Sequence, residues 1–489
     1  MGEGNTDHIT FAPAYTPAES GDKESAASVT KAVRTEDNDG TFVPDPVAER
    51  RLVRKIDLRV IPTCMLIYVL SFLDRSNIGN AKILNADVGD SLQQATRITN
   101  QQYVDSLVIF FVAYSVFEIP SVIMLKKAYP SRWFAFIMLG WGAMTMVQAT
   151  VSNFGGLVGV RFILGAFEAG FFTGIVYFLT FWYRPDERAL RIALIAACAT
   201  LGGAFGGAIA FGVGFMDKDR GIEGWRWLCI IEGGLTCLFS VVALLILPDY
   251  PETVRWLTPS ERALAIARLR GDSPLGLEKL APKKMRAAFL DFRLYVHYIV
   301  FLCVSAPFSG FSLFTPTIVS GLGFEGLAAQ LFTVPPFAVA FVFTVIVSWL
   351  ADRRQSWSFP SLICLVFAGI SFIIQGVLSP TAFTARYVFL CFATAFSFAC
   401  NPLLLNYLTV NVRGTSEMTV NIPLNITIST LGQIIGLFLY KPNEAPGYPT
   451  GHYTNAALML FGAVLVAHLR WLYARRNRCL SPGEKKWRV

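Results

Sequence analysis

The chain has 489 residues, 54% of them hydrophobic and only 16% charged, whereas a soluble globular chain carries about 45–50% apolar and about 25% charged residues. A mean hydropathy of +0.49, with 40 Phe, 39 Gly and 10 Trp, requires burial in protein or lipid. This excludes disorder over most of the length and a set of ordinary soluble domains. The net charge of +8 asks for a membrane explanation before a nucleic-acid one.

In chain order, residues 1–49 read as a disordered cytoplasmic tail. They hold ten acidic residues against Lys23, Lys31 and Arg34 and show no apolar stripe. No apolar run of signal-peptide length stands near Met1, so the first membrane span is expected to direct insertion. Apolar segments then recur at 57–75, 103–125, 133–151, 154–181, 190–214, 227–247, 294–318, 327–350, 360–378, 386–410, 420–440 and 455–474. Each approaches the roughly 20 residues that cross a bilayer core of about 30 Å. Twelve spans are expected, in an all-α polytopic membrane protein.

Basic residues orient the set. Arg50, Arg51, Arg54 and Lys55 precede span 1. Lys126, Lys127 and Arg132 follow span 2, and Arg184, Arg188 and Arg191 follow span 4. Nine Lys/Arg lie in 248–293, and Arg475, Arg476, Arg478, Lys485, Lys486 and Arg488 follow span 12. All fall on one side if the spans alternate, which places both termini in the cytoplasm. The chain thereby divides into an N-terminal half (50–247), a cytoplasmic central loop (248–293), a C-terminal half (294–474) and a C-terminal tail (475–489). Two six-helix halves suggest a secondary transporter of the major facilitator fold. Asp352-Arg353 after span 8 and Ser131-Arg132 after span 2 stand at matching places, as loops that latch two halves would; ordinary positive-inside charge is the plainer reading.

Ionisable groups inside spans cost roughly 2.5–3.5 kcal/mol each on insertion scales, so they mark function by default. Asp74 and Arg75 stand at the outer end of span 1, Glu118 in span 2, Arg161 and Glu168 in span 4, and Glu232 in span 6. Spans 7–12 have almost none in their interiors. Arg161 and Glu168 are two helical turns apart, about 10 Å along one face. An arginine there can bind a carboxylate bidentately, and a buried glutamate can take up and release a proton. A structural Arg161–Glu168 pair fixing helix 4 against helix 1 is the alternative.

The C-terminal half offers neutral polar groups: Asn401 and Asn406 in span 10, and Asn421, Asn425, Thr427, Ser429, Thr430 and Gln433 in span 11. Asn421 and Asn425 share a helix face, as substrate ligands or as interhelical hydrogen-bond glue. Gly202, Gly203, Gly206 and Gly207 make two overlapping G-x-x-x-G pairs in span 5, and Gly432 and Gly436 another in span 11, as close helix approach requires. Gly321-Leu322-Gly323-Phe324-Glu325-Gly326 follows no strand, so it fails as a dinucleotide motif. The nine Cys lack C-x-x-C or metal-ligand spacing, and the four His are scattered. Neither a metal, a cofactor, a disulfide framework nor an enzyme's catalytic constellation is expected.

Several strings together resemble the fungal branch of the anion:cation symporter family, which includes allantoate and nicotinate permeases. They are Phe72-Leu73-Asp74-Arg75-Ser76-Asn77-Ile78-Gly79-Asn80-Ala81, Ala113-Tyr114-Ser115-Val116-Phe117-Glu118-Ile119-Pro120-Ser121, and Arg161 to Gly170. Trp225-Arg226-Trp227 with Ile231-Glu232-Gly233, Leu247 to Thr253, and Tyr440-Lys441-Pro442 with Ala445 to His452 complete the set. The resemblance covers roughly residues 50–475 and implies proton-driven movement of a small organic anion. It also implies that Arg75, Tyr114 and Arg161 bind substrate while Asp74 and Glu168 carry protons. Two departures stand out. Thr173 replaces the usual Pro before Gly174, which predicts a lost kink, and Ser416-Glu417 replaces a basic pair after Asn411 and Gly414.

The resulting expectation is a plasma-membrane symporter of a small carboxylate, such as a vitamin or nitrogenous acid. It would be a monomer in the lipid bilayer, without nucleic-acid partners. Arg75, Tyr114, Arg161, Asn421 and Asn425 would bind substrate, Asp74 and Glu168 would couple protons, and Asp352 and Arg353 would latch the halves. Export of an acidic metabolite is the alternative, and a non-transporting nutrient receptor the alternative of another class.

Overall fold

The computed structural model describes residues 46–270, 291–324, 326–412, 415–480 and 486–488. The expected N-terminal tail through residue 45, the stretch 271–290 of the central loop, and Gly414 with the side chains of Ser416 and Glu417 lie outside the described residues.

Every apolar segment is a helix. The long helices are α1 (Pro46–Ile83), α2 (Asn100–Lys127), α3 (Pro130–Gln148), α4 in two pieces (Phe154–Glu168 and Phe171–Phe178), α5 (Pro185–Gly214) and α6 (Gly224–Ile246). The second set is α7 (Phe292–Gly321), α8 (Val334–Arg353), α9 (Ser358–Val377), α10 (Phe383–Asn411), α11 (Thr415–Leu437) and α12 (Pro449–Arg478). Ten helical stretches among the described residues are long and apolar enough to cross a membrane. The remaining two expected positions are filled by α3 and α11, of 19 and 23 residues. Large apolar side chains such as Leu245, Val377 and Val464 are exposed on the outside, where lipid is their natural solvent.

The packing has an internal order. In the first six helices α1 packs on α5 and α6, α2 on α4, and α3 on α6. In the last six α7 packs on α11 and α12, α8 on α10, and α9 on α12. Adding six to each helix number converts the first set into the second. The contacts across the middle obey the same rule: α2 with α11, α5 with α8, and α1 with α7. This is the arrangement of two similar six-helix units facing each other across a twofold-like axis.

The glycines of α5 explain how two seams fit on one helix. A side chain at Gly202 would strike Phe72 and the Val69 carbonyl of α1, whereas one at Gly207 would strike Thr333 and the Gln330 carbonyl at the start of α8. One overlapping pair thus packs α5 within its own half, and the other packs it against the opposite half.

The structure corrects two expectations. The segment 154–181 is not one continuous helix: α4 stops at Glu168, Ala169 turns out of the helical region, and Gly170 adopts φ +71°. The kink expected to vanish with proline is present, made by glycine, and a side chain at Gly170 would also meet Ser121 and the Glu118 carbonyl. Nor do Asp74 and Arg75 stand at the end of a span, because α1 runs two further turns to Ile83. The polar residues 76–80 remain helical since they find partners inside: Asn77 donates to Glu232 (2.6 Å), and Gln330 donates to the Asn80 carbonyl (3.0 Å).

On the face where α1 begins and α12 ends, the terminal face, helix Pro259–Arg270 of the central loop is tied down by ion pairs. Lys55 meets Glu261 at 2.7 Å and Arg268 meets Glu187, while Arg184, which donates to the Arg268 carbonyl (3.0 Å), also meets Glu49 at 2.9 Å. Arg191 holds Asp57 bidentately at 2.6 and 2.7 Å, while Trp182 stacks on Trp256. Nearby, Asp249 accepts the Ser131 N–H (2.8 Å) at the start of α3.

Candidate functional site

A small, partly open cavity of about 70 Å³ lies between the two halves. Its walls follow helical spacing. Tyr68, Ser71, Phe72 and Arg75 line it from α1, Phe301, Ser305 and Phe308 from α7, and Phe398, Asn401, Pro402 and Leu405 from α10. Each set advances in steps of three or four residues, the signature of one helix face. Glu168, Phe171 and Phe172 enter at the break in α4, Tyr114 comes from α2 and Ala196 from α5, and Ile426, Ser429 and Gln433 come from α11.

The break positions Glu168. As the last residue of the first α4 piece it projects into the cavity wall, where Arg75 meets it through Nη2 at 2.5 Å and Nε at 2.8 Å. Ser71 donates to the same carboxylate oxygen at 3.1 Å. Arg75 also lies over the rings of Tyr114 (5.0 Å) and Phe110 (5.6 Å), so its cation is held by charge and by aromatic faces together. The second Glu168 oxygen is buried without a hydrogen-bond partner.

The other sequence-derived candidates are distributed differently. Asp74 points away from the cavity into its own half, accepting from Thr236 (2.7 Å) and Trp141 (3.1 Å). Arg161 is 1% exposed and does not line the cavity. The structural Arg161–Glu168 pair, the alternative that their spacing offered, is not formed; Glu168 is paired with Arg75 of α1 instead. The groups around Arg161 are Tyr103, Cys229, Glu168 and Asp74, a buried polar cluster behind the cavity wall. Asn421 accepts from Tyr298 (2.9 Å), and Asn425 is buried with both amide atoms unpartnered; neither lines the cavity. Asn401 and Gln433 do. Arg353 lies over Trp349 of its own helix (5.4 Å), and Asp352 stands at the end of α8.

Besides Asp74, two further carboxylates lie outside the cavity, each with one satisfied oxygen. Glu118 accepts from Thr173 (2.6 Å) and Glu232 from Asn77 (2.6 Å), and the second oxygen of each is buried without a hydrogen-bond partner. The residue that breaks the proline pattern, Thr173, is thus the Glu118 partner. The aromatic lining escaped sequence reasoning, although the i, i+3, i+4, i+7 run from Tyr68 to Arg75 could have disclosed it. Among the described residues no group of three or more His, Cys, Asp or Glu side chains could hold a metal.

The model of the Major Facilitator Superfamily matches residues 64–437. The chain belongs to that superfamily. It is 46% identical over 475 residues to MFS transporter prlL of Fungal sp. (strain NRRL 50135), covering 96% of both chains. It is 32% identical to MFS-type transporter efuF of Hormonema carpetanum, covering 89% of this chain and 88% of that one. Among solved structures it resembles the partially occluded inward-open xylose transporter XylE from E. coli, with TM-score 0.62 and 12% identity over 85% of this chain and 98% of that one. A bacterial homologue of the lysosomal transporter Spinster gives TM-score 0.60 and 16% identity over 90% and 100%. These two likenesses show the fold. This superfamily member is a multi-pass membrane transporter with a cavity between its two halves.

Proposed function

We propose that this transporter couples proton movement to symport of a small organic anion, as in the anion:cation symporter branch. The observation that carries the reading is the Arg75–Glu168 pair in the cavity wall. An arginine already neutralised by a glutamate has little attraction left for a second carboxylate. Protonation of Glu168 releases the guanidinium, and a substrate carboxylate takes its place bidentately. Deprotonation on the other side restores the internal pair and expels the anion. Proton and anion therefore occupy the site together, which is the requirement for symport.

The surrounding groups fit such a cargo. The aromatic side chains of Tyr68, Phe72, Phe171, Phe172, Phe308 and Phe398 suit an apolar body, and Asn401, Ser429 and Gln433 offer neutral hydrogen bonds. Asp74 is a second proton carrier behind the wall, Arg161 sets the positive field there, and Tyr114 orients Arg75. Asn421 and Asn425 shape the packing of α11 behind the substrate. The protein acts as a monomer in the plasma membrane with both termini cytoplasmic, and Asp352-Arg353 helps latch the halves on that side.

The test is uptake of a panel of radiolabelled organic acids by cells expressing the chain, in acidic and in neutral medium. The expected result is carboxylate uptake that rises in acid and is cancelled by a protonophore. Absence of uptake for every acid, with the protein at the cell surface, would overturn the reading. Efflux of a preloaded acid in the same cells would then select export, and tight binding without flux a receptor.

A further inference from the structure

The C-terminal segment carries a feature that transport does not require. Trp487 and Arg488 return to the terminal face and are clamped there by two asparagine side chains. Asn477 of α12 accepts from the Trp487 N–H (2.7 Å) and donates to the Trp487 carbonyl (2.8 Å). Asn411, the last residue of α10, accepts from the Arg488 N–H (2.9 Å) and donates to the Arg488 carbonyl (3.1 Å). An amide side chain that satisfies both backbone groups of one residue copies the pairing of a β-ladder, and two in succession fix position and register. The Trp487 ring stacks on Tyr473 of α12 (5.5 Å, 17°), and the Arg293 guanidinium of α7 lies over it at 4.4 Å. Arg293 is itself oriented by Asp291, which receives its Nε at 2.8 Å. Backbone and side chain are therefore both held, by three helices of the second half.

The contacts continue inward. Tyr473 hydrogen-bonds His297 (3.1 Å), and the His297 ring packs at 5.0 Å on Tyr407 of α10. Beside Tyr407, Asn406 donates to the Ala189 carbonyl at the start of α5 (2.9 Å), joining the two halves on the terminal face. Pro402 interrupts the hydrogen-bond ladder of α10 and lines the cavity, so the part of α10 after it is free to pivot about that point. The docked tail grips this part at its far end.

We propose that the groove formed by the ends of α7, α10 and α12 is a docking site for the chain's own C-terminal Trp487-Arg488. By holding the end of α10 beyond Pro402, the docked tail keeps the Asn406–Ala189 contact between the halves closed. Release of the tail frees that contact and opens the cavity on the terminal face.

Amide hydrogen exchange on the purified full-length protein in detergent tests this without a substrate. In the native chain the Trp487 and Arg488 amides should exchange at least about tenfold slower than an unstructured chain. In Trp487→Ala, peptides covering 403–411 should exchange at least about threefold faster, with α3 and α6 unchanged. Trp487→Phe, which keeps a ring on Tyr473, should restore much of the protection. Asn477→Ala removes only the clamp on the tail backbone and should raise exchange in the same α10 peptides. Unprotected tail amides in the native chain would overturn the docking. Unchanged exchange over 403–411 in both Trp487→Ala and Asn477→Ala would overturn the latch.

Discussion

The two halves share one packing plan but not one chemistry. Between them, α1, α2, α4 and α6 bury Asp74, Glu118, Arg161, Glu168 and Glu232, each at 1% exposure or less. Among the described residues, the facing α7–α12 bury mainly neutral polar groups, and their buried Arg386 gives its hydrogen bonds to the carbonyls of Pro446 and Gly447 near the end of the bundle. A charge inside a membrane costs roughly 2.5–3.5 kcal/mol, so its confinement to one half is informative. In the first half the charges are joined across helices, α1 to α4 through Arg75–Glu168 and α1 to α6 through Asn77–Glu232. The second half meets the cavity with Ser, Asn and Gln, which exchange partners at low cost. On the proposed coupling, a half whose charges rearrange with protonation would work against a half that follows.

The largest effect should come from breaking the internal ion pair. Arg75→Ala leaves Glu168 buried without its cation, a loss of about 3–5 kcal/mol for one side of a buried pair. Uptake should fall at least about a hundredfold and more than in Arg161→Ala, whose side chain is outside the cavity; initial rates normalised to surface protein provide the comparison. Equal losses would place Arg161 in the anion site as well.

Glycine substitutions in α5 separate seam from scaffold. Gly207→Ala wedges α5 against the start of α8 and should slow transport with little change in half-saturation. Gly202→Ala wedges α5 against α1 and should lower the melting temperature. Overpacking of this kind costs about 1–3 kcal/mol, and thermal unfolding beside uptake kinetics distinguishes the two.

A smaller effect is expected from the neutral half. Asn401→Ala should raise the half-saturation concentration about five- to tenfold, the worth of one hydrogen bond of about 1 kcal/mol. Asn421→Ala should leave half-saturation unchanged while losing the Tyr298 contact. The reverse order would return Asn421 to the substrate site.

The smallest effect lies on the terminal face. Burial would raise the Glu261 carboxyl, but hydrogen bonds from Lys55 and from Thr258 hold it below its ordinary range. A depressed folded value means that this stabilisation is present above the unfolded value and lost as pH falls through the folded one. Both side chains are about one-third exposed, so screening limits the pair to about 1 kcal/mol or less. Glu261→Gln should reduce stability by no more than that, and the difference from the native chain should shrink as the solution is acidified.

Much of the fold was legible because hydropathy records lipid directly: twelve apolar runs gave twelve helices with their ends within several residues in most cases. The end of α1 was not legible, since Ser76, Asn77 and Asn80 look like a loop until Glu232 and Gln330 are known to meet them. The break in α4 had a visible sign in Ala169-Gly170, because glycine at φ +71° ends a helix without proline. Site residues were legible as types rather than as neighbours. Arg161 and Glu168 share a face by spacing, yet the partner of Glu168 comes from α1, a choice made by the rotation of packed helices that no single-helix pattern contains. For the same reason Asn401 and Gln433 reach the cavity while Asn421 and Asn425 do not.

The most direct test of coupling through Arg75 and Glu168 is transport by Glu168→Gln of the acid that the native chain takes up best. The variant should still exchange labelled for unlabelled acid but no longer accumulate it when the medium is acidified. Acid-driven accumulation equal to that of the native chain would contradict that coupling.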